Sequence, residues 1–579
     1  MLLTMRGRIA ALAALGAAVV VPPALAASPQ GFQSNASFAA SYAARGVTSV
    51  VATAQRVSCY APEVLYMSGL GANEGYPDGG STACPGATTG ELLGPFSNQD
   101  RSNPALVVKD HSESDIHVDP TNATHLIGIS KWVVNSEGYN HLTGFFESFD
   151  TGATWPTQGH IPGYEGWTDN SDPVGAFDPW GNFYAIVLPY MFDYTSSGTH
   201  RFLSSAVNPR LARSGIGVTV RPHGAATANA WLTTYAGGLD LVAGSPFQGA
   251  EVFDKQWVAI DTNRRSRFFG RVYVAWSIGG SDQSLRIYES HADGRPDGTH
   301  GNWSAPKLVL RQVQGIGENG PLPRVTPDGT VWLAVTSFSD SGRPFTISVT
   351  SSRNGGSSWT ARQFVRRGQR VRGYANTTFR AAFGLAFEVG KRKVGRAYPL
   401  YAAYEDATAS GTAVFLTASF DNGRHWRARL RVNDNGGAGE ALQPGVSVAP
   451  NGRVAVAFYD RRLPCPGRAS PEAAQAGLQF DPRGPFGRLN YCINTAVQFY
   501  GAGLRPLGHN IRLSAQTWDP QLSAPHPGCI CSAGTFIGDY FGVDSRGGFT
   551  YTAAVTTANA AGENAGFHQQ QLVSKLRTP

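Results

Sequence analysis

Apolar and polar positions alternate in short runs along most of this chain, and the runs come in pairs joined by tight turns. Seven pairs stand out: IHVDPTNATHLIGISKW from Ile116, GAFDPWGNFYAIVLPY from Gly175, VAIDTNRRSRFFGRVYVAW from Val258, RVTPDGTVWLAVTSF from Arg324, AFEVGKRKVGRAYPLYAAYED from Ala386, SVAPNGRVAVAFYDRR from Ser447 and GVDSRGGFTYTAAVTT from Gly542. Each holds a short apolar strand, a turn rich in Asp, Pro, Asn or Gly, and a second strand ending in or near aromatics. A period of two around such a turn predicts a β-hairpin. Beyond the N-terminal leader no stretch keeps a helical period, so the chain is read as all-β.

A second pattern recurs on top of the hairpins. Ser-x-Asp/Asn-x-Gly-x-x-Trp occurs at Ser148, Asp150, Gly152 and Trp155, again at Ser352, Asn354, Gly356 and Trp359, and again at Ser419, Asp421, Gly423 and Trp426. The Asp or Asn accepts hydrogen bonds from the backbone that follows it, Gly supplies a positive φ, and Trp packs the turn onto the sheet. These Asp-boxes are therefore scaffold turns. Ser352 to Ser419 is 67 residues and Ser148 to Ser352 is 204, close to three such steps; Ser290 with Trp303 is a degenerate copy between them. With about 68 residues per unit, the chain from the first hairpin holds seven units of four strands. The predicted fold is a seven-bladed β-propeller of four-stranded blades over 106–579, with a six-bladed propeller as the alternative. Residues 28–105 are read as an N-terminal extension, of which Ala105–Val108 could supply the strand that closes the ring.

Composition adds an address. Arg6 and Arg8, the apolar run Ile9–Val21 and the small residues up to Ala26 form a leader too short to span a bilayer, so 1–27 is read as a signal peptide and the mature chain as secreted, extracellular or periplasmic. No later segment is apolar enough for a membrane span. Net charge is +7 over the whole chain and, less Arg6 and Arg8, +5. The excess is spread out, the nearest approach to a cluster being Arg362–Arg372, so no nucleic-acid partner is expected. The 6 Cys suit an oxidising compartment, with Cys59–Cys84 and Cys465–Cys492 the economical disulfide pairs; Cys529 and Cys531 stay unassigned. No cofactor or catalytic metal is predicted; structural calcium is the one ion left open. A monomer is expected.

Propeller geometry narrows the search for chemistry. Polar residues just before each first strand, or just after each second strand, converge on one funnel. Before the first strands come His111, Glu113 and Asp115; Asn170 and Asp172; Asp254 and Lys255; Glu318 and Asn319; Arg380; Glu440 and Gln443; Asp539 and Tyr540. After the second strands come Lys131 and Trp132, Trp276, Glu405 and Asp406, and Asp460, Arg461 and Arg462. Glycoside hydrolysis needs an acid together with a base or nucleophile, and Asp115, Asp172, Glu440 and Asp539 are the candidate carboxylates. Arg380, Arg461 and Arg462 could grip a substrate carboxylate through the guanidinium fork. Lys255 and Trp276 are further candidate substrate contacts.

Asp-boxes at blade spacing, with hairpins such as HVDPTN, AFDPWGN and VAPNGRVAVAFYDRR, resemble the bacterial sialidase (neuraminidase) superfamily of secreted propellers, also called BNR-repeat proteins. The resemblance covers roughly Asp110 to Val573. It implies a six-bladed propeller, three Arg on the substrate carboxylate, a Tyr–Glu pair as nucleophile and activator, and an Asp as acid/base. Tyr540 is the Tyr candidate and Tyr459 the second. The family's Phe/Tyr-Arg-Ile-Pro motif has no counterpart; the corresponding stretch reads QDRSNPALVVKD, with Arg101. The function expected is a secreted sialidase-like glycoside hydrolase acting on terminal or acidic sugars. The alternatives are a non-catalytic propeller binding a glycan or protein, and a polysaccharide lyase using His111, His117 or Tyr540 as base.

Overall fold

In the computed structural model the described residues are 53–56, 110–133, 141–164, 169–190, 193–194, 200–201, 214–244, 252–279, 285–310, 316–339, 344–369, 374, 384–409, 411–435, 440–462, 492–513, 518, 537–556 and 569–579. They contain strands and no helix, and seven four-stranded antiparallel sheets form the blades of a β-propeller. The innermost strands are Asp110–Val118, Asp169–Phe177, Val252–Ile260, Ile316–Val325, Leu385–Val389, Ala441–Val448 and Gly542–Arg546. Each of the seven hairpins read from the sequence forms the first two strands of one blade, so the count of seven holds and six does not.

The ring closes differently from the expectation. The outermost strand of blade 7 is Thr53–Arg56, antiparallel to the last strand, with Thr53 opposite Lys575 and Arg56 opposite Leu572. Ala105–Val108 lies outside the described residues, as do the leader and Cys59, Cys84, Cys465, Cys529 and Cys531. Cys492 is buried and disulfide-bonded.

The three Asp-boxes turn between third and fourth strands of blades 1, 4 and 5, and their bonding repeats. Ser148, Ser352 and Ser419 hydroxyls donate to Asp150, Asn354 and Asp421 at 2.8, 2.9 and 2.9 Å, and accept from the N–H groups of Gly152, Gly356 and Gly423 at 2.9, 3.0 and 2.9 Å. The glycines have φ of 78°, 90° and 78°. Each also faces the preceding blade. A Cβ on Gly152 would meet Tyr551 of blade 7, one on Gly356 would fall 2.6 Å from His291 of blade 3, and one on Gly423 would strike Gln363 of blade 4. The motif thus docks one blade onto the last. Trp155 is buried edge-on to Phe146, while Trp359 and Trp426 are half-buried on the same kind of seam. At the degenerate copy Trp303 instead donates to Asp240 of blade 2 at 2.9 Å.

Blades 1 and 2 are joined by a buried chain of charges. Arg221 Nε lies 3.0 Å from both Glu147 oxygens and Nη2 lies 2.6 Å from Oε2. His125 bridges Glu147 Oε1 at 2.8 Å and Asp119 Oδ2 at 2.9 Å. The Arg221 guanidinium lies beside the rings of Phe145 and Trp231, 4.9 and 5.6 Å from their centroids. Buried charges persist only when paired and hydrogen-bonded in this way.

Candidate active site

Five of the seven inner strands are broken by the same defect and so begin earlier than the alternation suggests. Register shifts fall between Ser112 and Asp115, Ser171 and Val174, Asp254 and Trp257, Asn319 and Leu322, and Leu442 and Gly445. In each bulge the first unpaired residue is left-handed: Glu113, Asp172, Lys255, Gly320 and Gln443, with φ of 53°, 48°, 51°, 65° and 46°. Gly320 adopts that backbone without strain, whereas the four side-chain-bearing residues each pay about 1–2 kcal/mol for it. Bulges re-aim side chains, and such strain concentrates at functional sites. Here they gather the side chains of Glu113, Asp172, Lys255 and Gln443 at the end of the propeller where the inner strands begin, its upper mouth.

The first group spans blades 1, 2, 3 and 7. Lys131 Nζ lies 2.8 Å from Glu113 Oε2 and 3.2 Å from Asp172 Oδ1. Lys255 Nζ lies 3.0 Å from Asp172 Oδ2, 2.6 Å from Asp539 Oδ2 and 3.7 Å from Asp254 Oδ1. Burial and the neighbouring Asp172 charge push the Glu113 carboxyl up to about 8. Asp172 is held well below the usual carboxylate range, because Lys255 and Lys131 more than offset its burial. Lys255, half-buried and ringed by Asp172, Asp254 and Asp539, is held well above its ordinary value because those charges outweigh its desolvation. It is a fixed cation and not a base.

The second group spans blades 5 and 6. Tyr374 donates its hydroxyl to Glu405 Oε2 at 2.9 Å, and Arg461 Nη1 lies 2.6 Å from Glu440 Oε2. Burial, then the charge of Glu405, holds the Tyr374 phenol well above its ordinary value, with Arg461 pulling the other way. Gln443 joins the two groups. Its backbone N–H donates to Glu405 Oε1, and its side-chain amide donates to Gly538 O at 2.7 Å, next to Asp539. A Cβ on Gly538 would fall 2.4 Å from the Glu113 nitrogen, so glycine there lets the two segments touch. Below the mouth runs a channel of about 210 Å³, lined among others by Asp115, His117, Trp257, Arg324, Glu388 and Tyr540.

The predicted site residues separate clearly. Asp172, Lys255 and Asp539 meet in the first group, and Glu440 and Arg461 in the second. Asp115 sits deeper, accepting from His117 Nε2 at 2.8 Å and from the Gly175 N–H at 3.1 Å, which ties blade 1 to blade 2. Tyr540 donates to Pro173 O at 2.8 Å, so its hydroxyl proton is committed to a backbone carbonyl and not to a carboxylate. Tyr459 accepts from the Val555 N–H at 3.0 Å within the core. Arg462 turns outward to Asp460, Asp434 and Asn510 at 2.5, 2.7 and 2.8 Å, holding a loop. Trp276 is fully buried between Phe253 and Tyr288, a core residue with no face for a sugar. His111 bonds Ser130 at 3.0 Å. Arg380 and the side chains of Trp132, Glu318 and Asn319 lie outside the described residues. Tyr374, in RGYANTTFR, was missed. It lies between blades and outside any strand pattern, and the only signal is an aromatic set in a polar stretch.

No family model and no curated protein matches this chain. Solved structures do. A Dyadobacter fermentans protein of unknown function is 10% identical over 82% of this chain and 96% of its own, with a TM-score of 0.40. A Trypanosoma rangeli sialidase bound to the inhibitor DANA is 11% identical over 84% of this chain and 58% of its own, at 0.36. The polysaccharide lyase Uly1 is 8% identical over 90% of this chain and 100% of its own, at 0.42.

Proposed function

We propose that this chain is a secreted carbohydrate-active propeller, a glycoside hydrolase working at the upper mouth. The observation that carries the reading is the Tyr374–Glu405 hydrogen bond of 2.9 Å, joined through Gln443 to the segment bearing Asp539. A phenol is a poor nucleophile until a base takes its proton, and Glu405 is placed to do so. Attack by Tyr374 Oη on an anomeric carbon would pass its proton to Glu405, while an acid on the other side protonates the leaving oxygen. Asp254, with a side chain 41% exposed and its carboxyl held above the usual range by burial and by the charges of Asp172 and Asp539, is the carboxyl of the first group most open to solvent and the one suited to carry that proton. Arg461 is committed to Glu440, and Lys255 is surrounded by three carboxylates, so neither offers a bare cation to an acidic sugar. The reading therefore extends to neutral terminal sugars as well as to sialosides.

The full chain should be assayed on fluorogenic sialosides, aryl glycosides and uronate polysaccharides. Tyr374→Phe and Glu405→Gln should each lower kcat at least about 10²-fold on whichever glycoside is cleaved. Silence on every glycoside, or full activity in Tyr374→Phe, overturns the reading. An unsaturated, ultraviolet-absorbing product from the uronates would replace hydrolysis by elimination.

A further inference from the structure

We propose that Glu113 and Asp172 share one proton across the seam between blades 1 and 2, Glu113 carrying it and Asp172 accepting it, as a positioning pair that locks Lys131 and Lys255 beneath the mouth. The two residues occupy the same bulge position on adjacent inner strands, each in a left-handed backbone. Glu113 is fully buried and Asp172 is 6% exposed. One ammonium, Lys131, touches both carboxyls. Among the described residues no well-aligned N–H or O–H hydrogen bond reaches either Glu113 oxygen. An ionised carboxylate buried with so few donors is costly, and a retained proton removes that cost. The proton then needs an acceptor, and Asp172, kept ionised by Lys255 and Lys131, is the neighbour able to accept it.

The charged and titratable groups facing the pair are Lys131 from the second strand of blade 1, Asp115 on Glu113's own strand, Lys255 and Asp254 from blade 3, and Asp539 and Tyr540 before blade 7. With one proton on Glu113, both ammonium groups are left to Asp172, and Lys255 pairs with Asp539 and Asp254 as well. Loss of that proton leaves two carboxylates side by side, so the lock should loosen as pH passes about 8.

Stability against pH tests this without reference to any activity. Glu113 titrates higher in the folded chain than its unfolded value of 4.5. The folded state thus holds an extra proton between that value and about 8, and stability falls as pH rises across the window. Glu113→Gln, a permanent mimic of the protonated form, removes the fall. Its Tm should gain on the natural chain by at least about 2–4 °C between pH 5 and pH 8. Parallel curves for the two proteins overturn the proposal. If Glu113→Gln does not fold, infrared spectra of the natural chain decide. A protonated-carboxyl band present at pH 7, lost at pH 9 and absent from Asp172→Asn at pH 7 supports the pair; its absence from the natural chain at pH 7 overturns it. The consequence for turnover, an alkaline limb near pH 8 that Glu113→Gln removes, rests on the upper mouth being the active site. A chain inactive on every substrate would sink that reading and leave the stability result standing.

Discussion

Arg221→Met should damage this propeller more than any exposed charge substitution, and the reason can be worked through. The guanidinium makes three contacts of 2.6–3.0 Å with Glu147 and a fourth, at 3.0 Å, with Thr227 O, and both partners of the pair are essentially unexposed. Removing one member of a buried pair leaves the other uncompensated, which costs about 3–5 kcal/mol, whereas neutralising both is often close to harmless. Urea unfolding followed by tryptophan fluorescence should show a loss of that size in Arg221→Met and recovery of most of it in Arg221→Met with Glu147→Gln. The loss should also vary with pH. Burial opposes charge on His125, but Asp119 and Glu147 raise its pKa above 6.5. Its stabilising charge is therefore fully present below 6.5 and disappears as pH climbs through the raised value. In Arg221→Met, His125 is the remaining partner of Glu147, so the penalty should be smaller at pH 5.5 than at pH 8.5. Additive single effects, with no recovery in the double variant, would refute the reasoning.

Trp276→Ala should cost about 3–5 kcal/mol in stability through the cavity it leaves, while KM for any substrate found is unchanged; a raised KM at unchanged Tm would restore Trp276 as a sugar contact. Removing residues 1–56 deletes the four-residue pairing on blade 7, which at about 1 kcal/mol per backbone hydrogen bond should lower stability by about 2–4 kcal/mol and expose a strand edge that self-associates, read by scanning calorimetry and size exclusion. Asp150→Ala should lose only about 1–2 kcal/mol, since the turn is largely exposed. Hydrogen bonds from Thr154 lower the Asp150 carboxyl to about 2, so the difference from the natural chain should hold above pH 4 and vanish as pH falls through about 2, in thermal melts across that range.

Much of the scaffold is legible because its physics is local. The Asp, Asn and Gly of each turn bond within five residues, and the seven hairpins carry their period in adjacent positions, so both can be read from the chain. The mouth is partly legible for the same reason: polar residues flanking apolar strands name Asp172, Lys255, Glu440, Arg461 and Asp539. What stays hidden depends on partners distant in sequence. Nothing near Tyr540 says that its hydroxyl will meet Pro173 O, 367 residues away, instead of a carboxylate. The bulges are equally silent, since a left-handed Glu113 or Lys255 breaks the preference that would predict it. Trp276 follows the aromatic pattern of a strand end, and only the packing of Phe253 and Tyr288 around it decides between core and surface.

The pairing of Thr53 with Lys575 joins positions 522 residues apart, and this sets an order on assembly. The first of the described strands in chain order is the last to find its place. It must wait, unpaired, until blade 7 exists, while each of the other blades can complete itself from contiguous chain. Contacts of such separation are slow to form. A polypeptide lacking Leu572–Lys575 would leave Thr53–Arg56 without its partner and blade 7 without the strand that joins the two ends of the described ring.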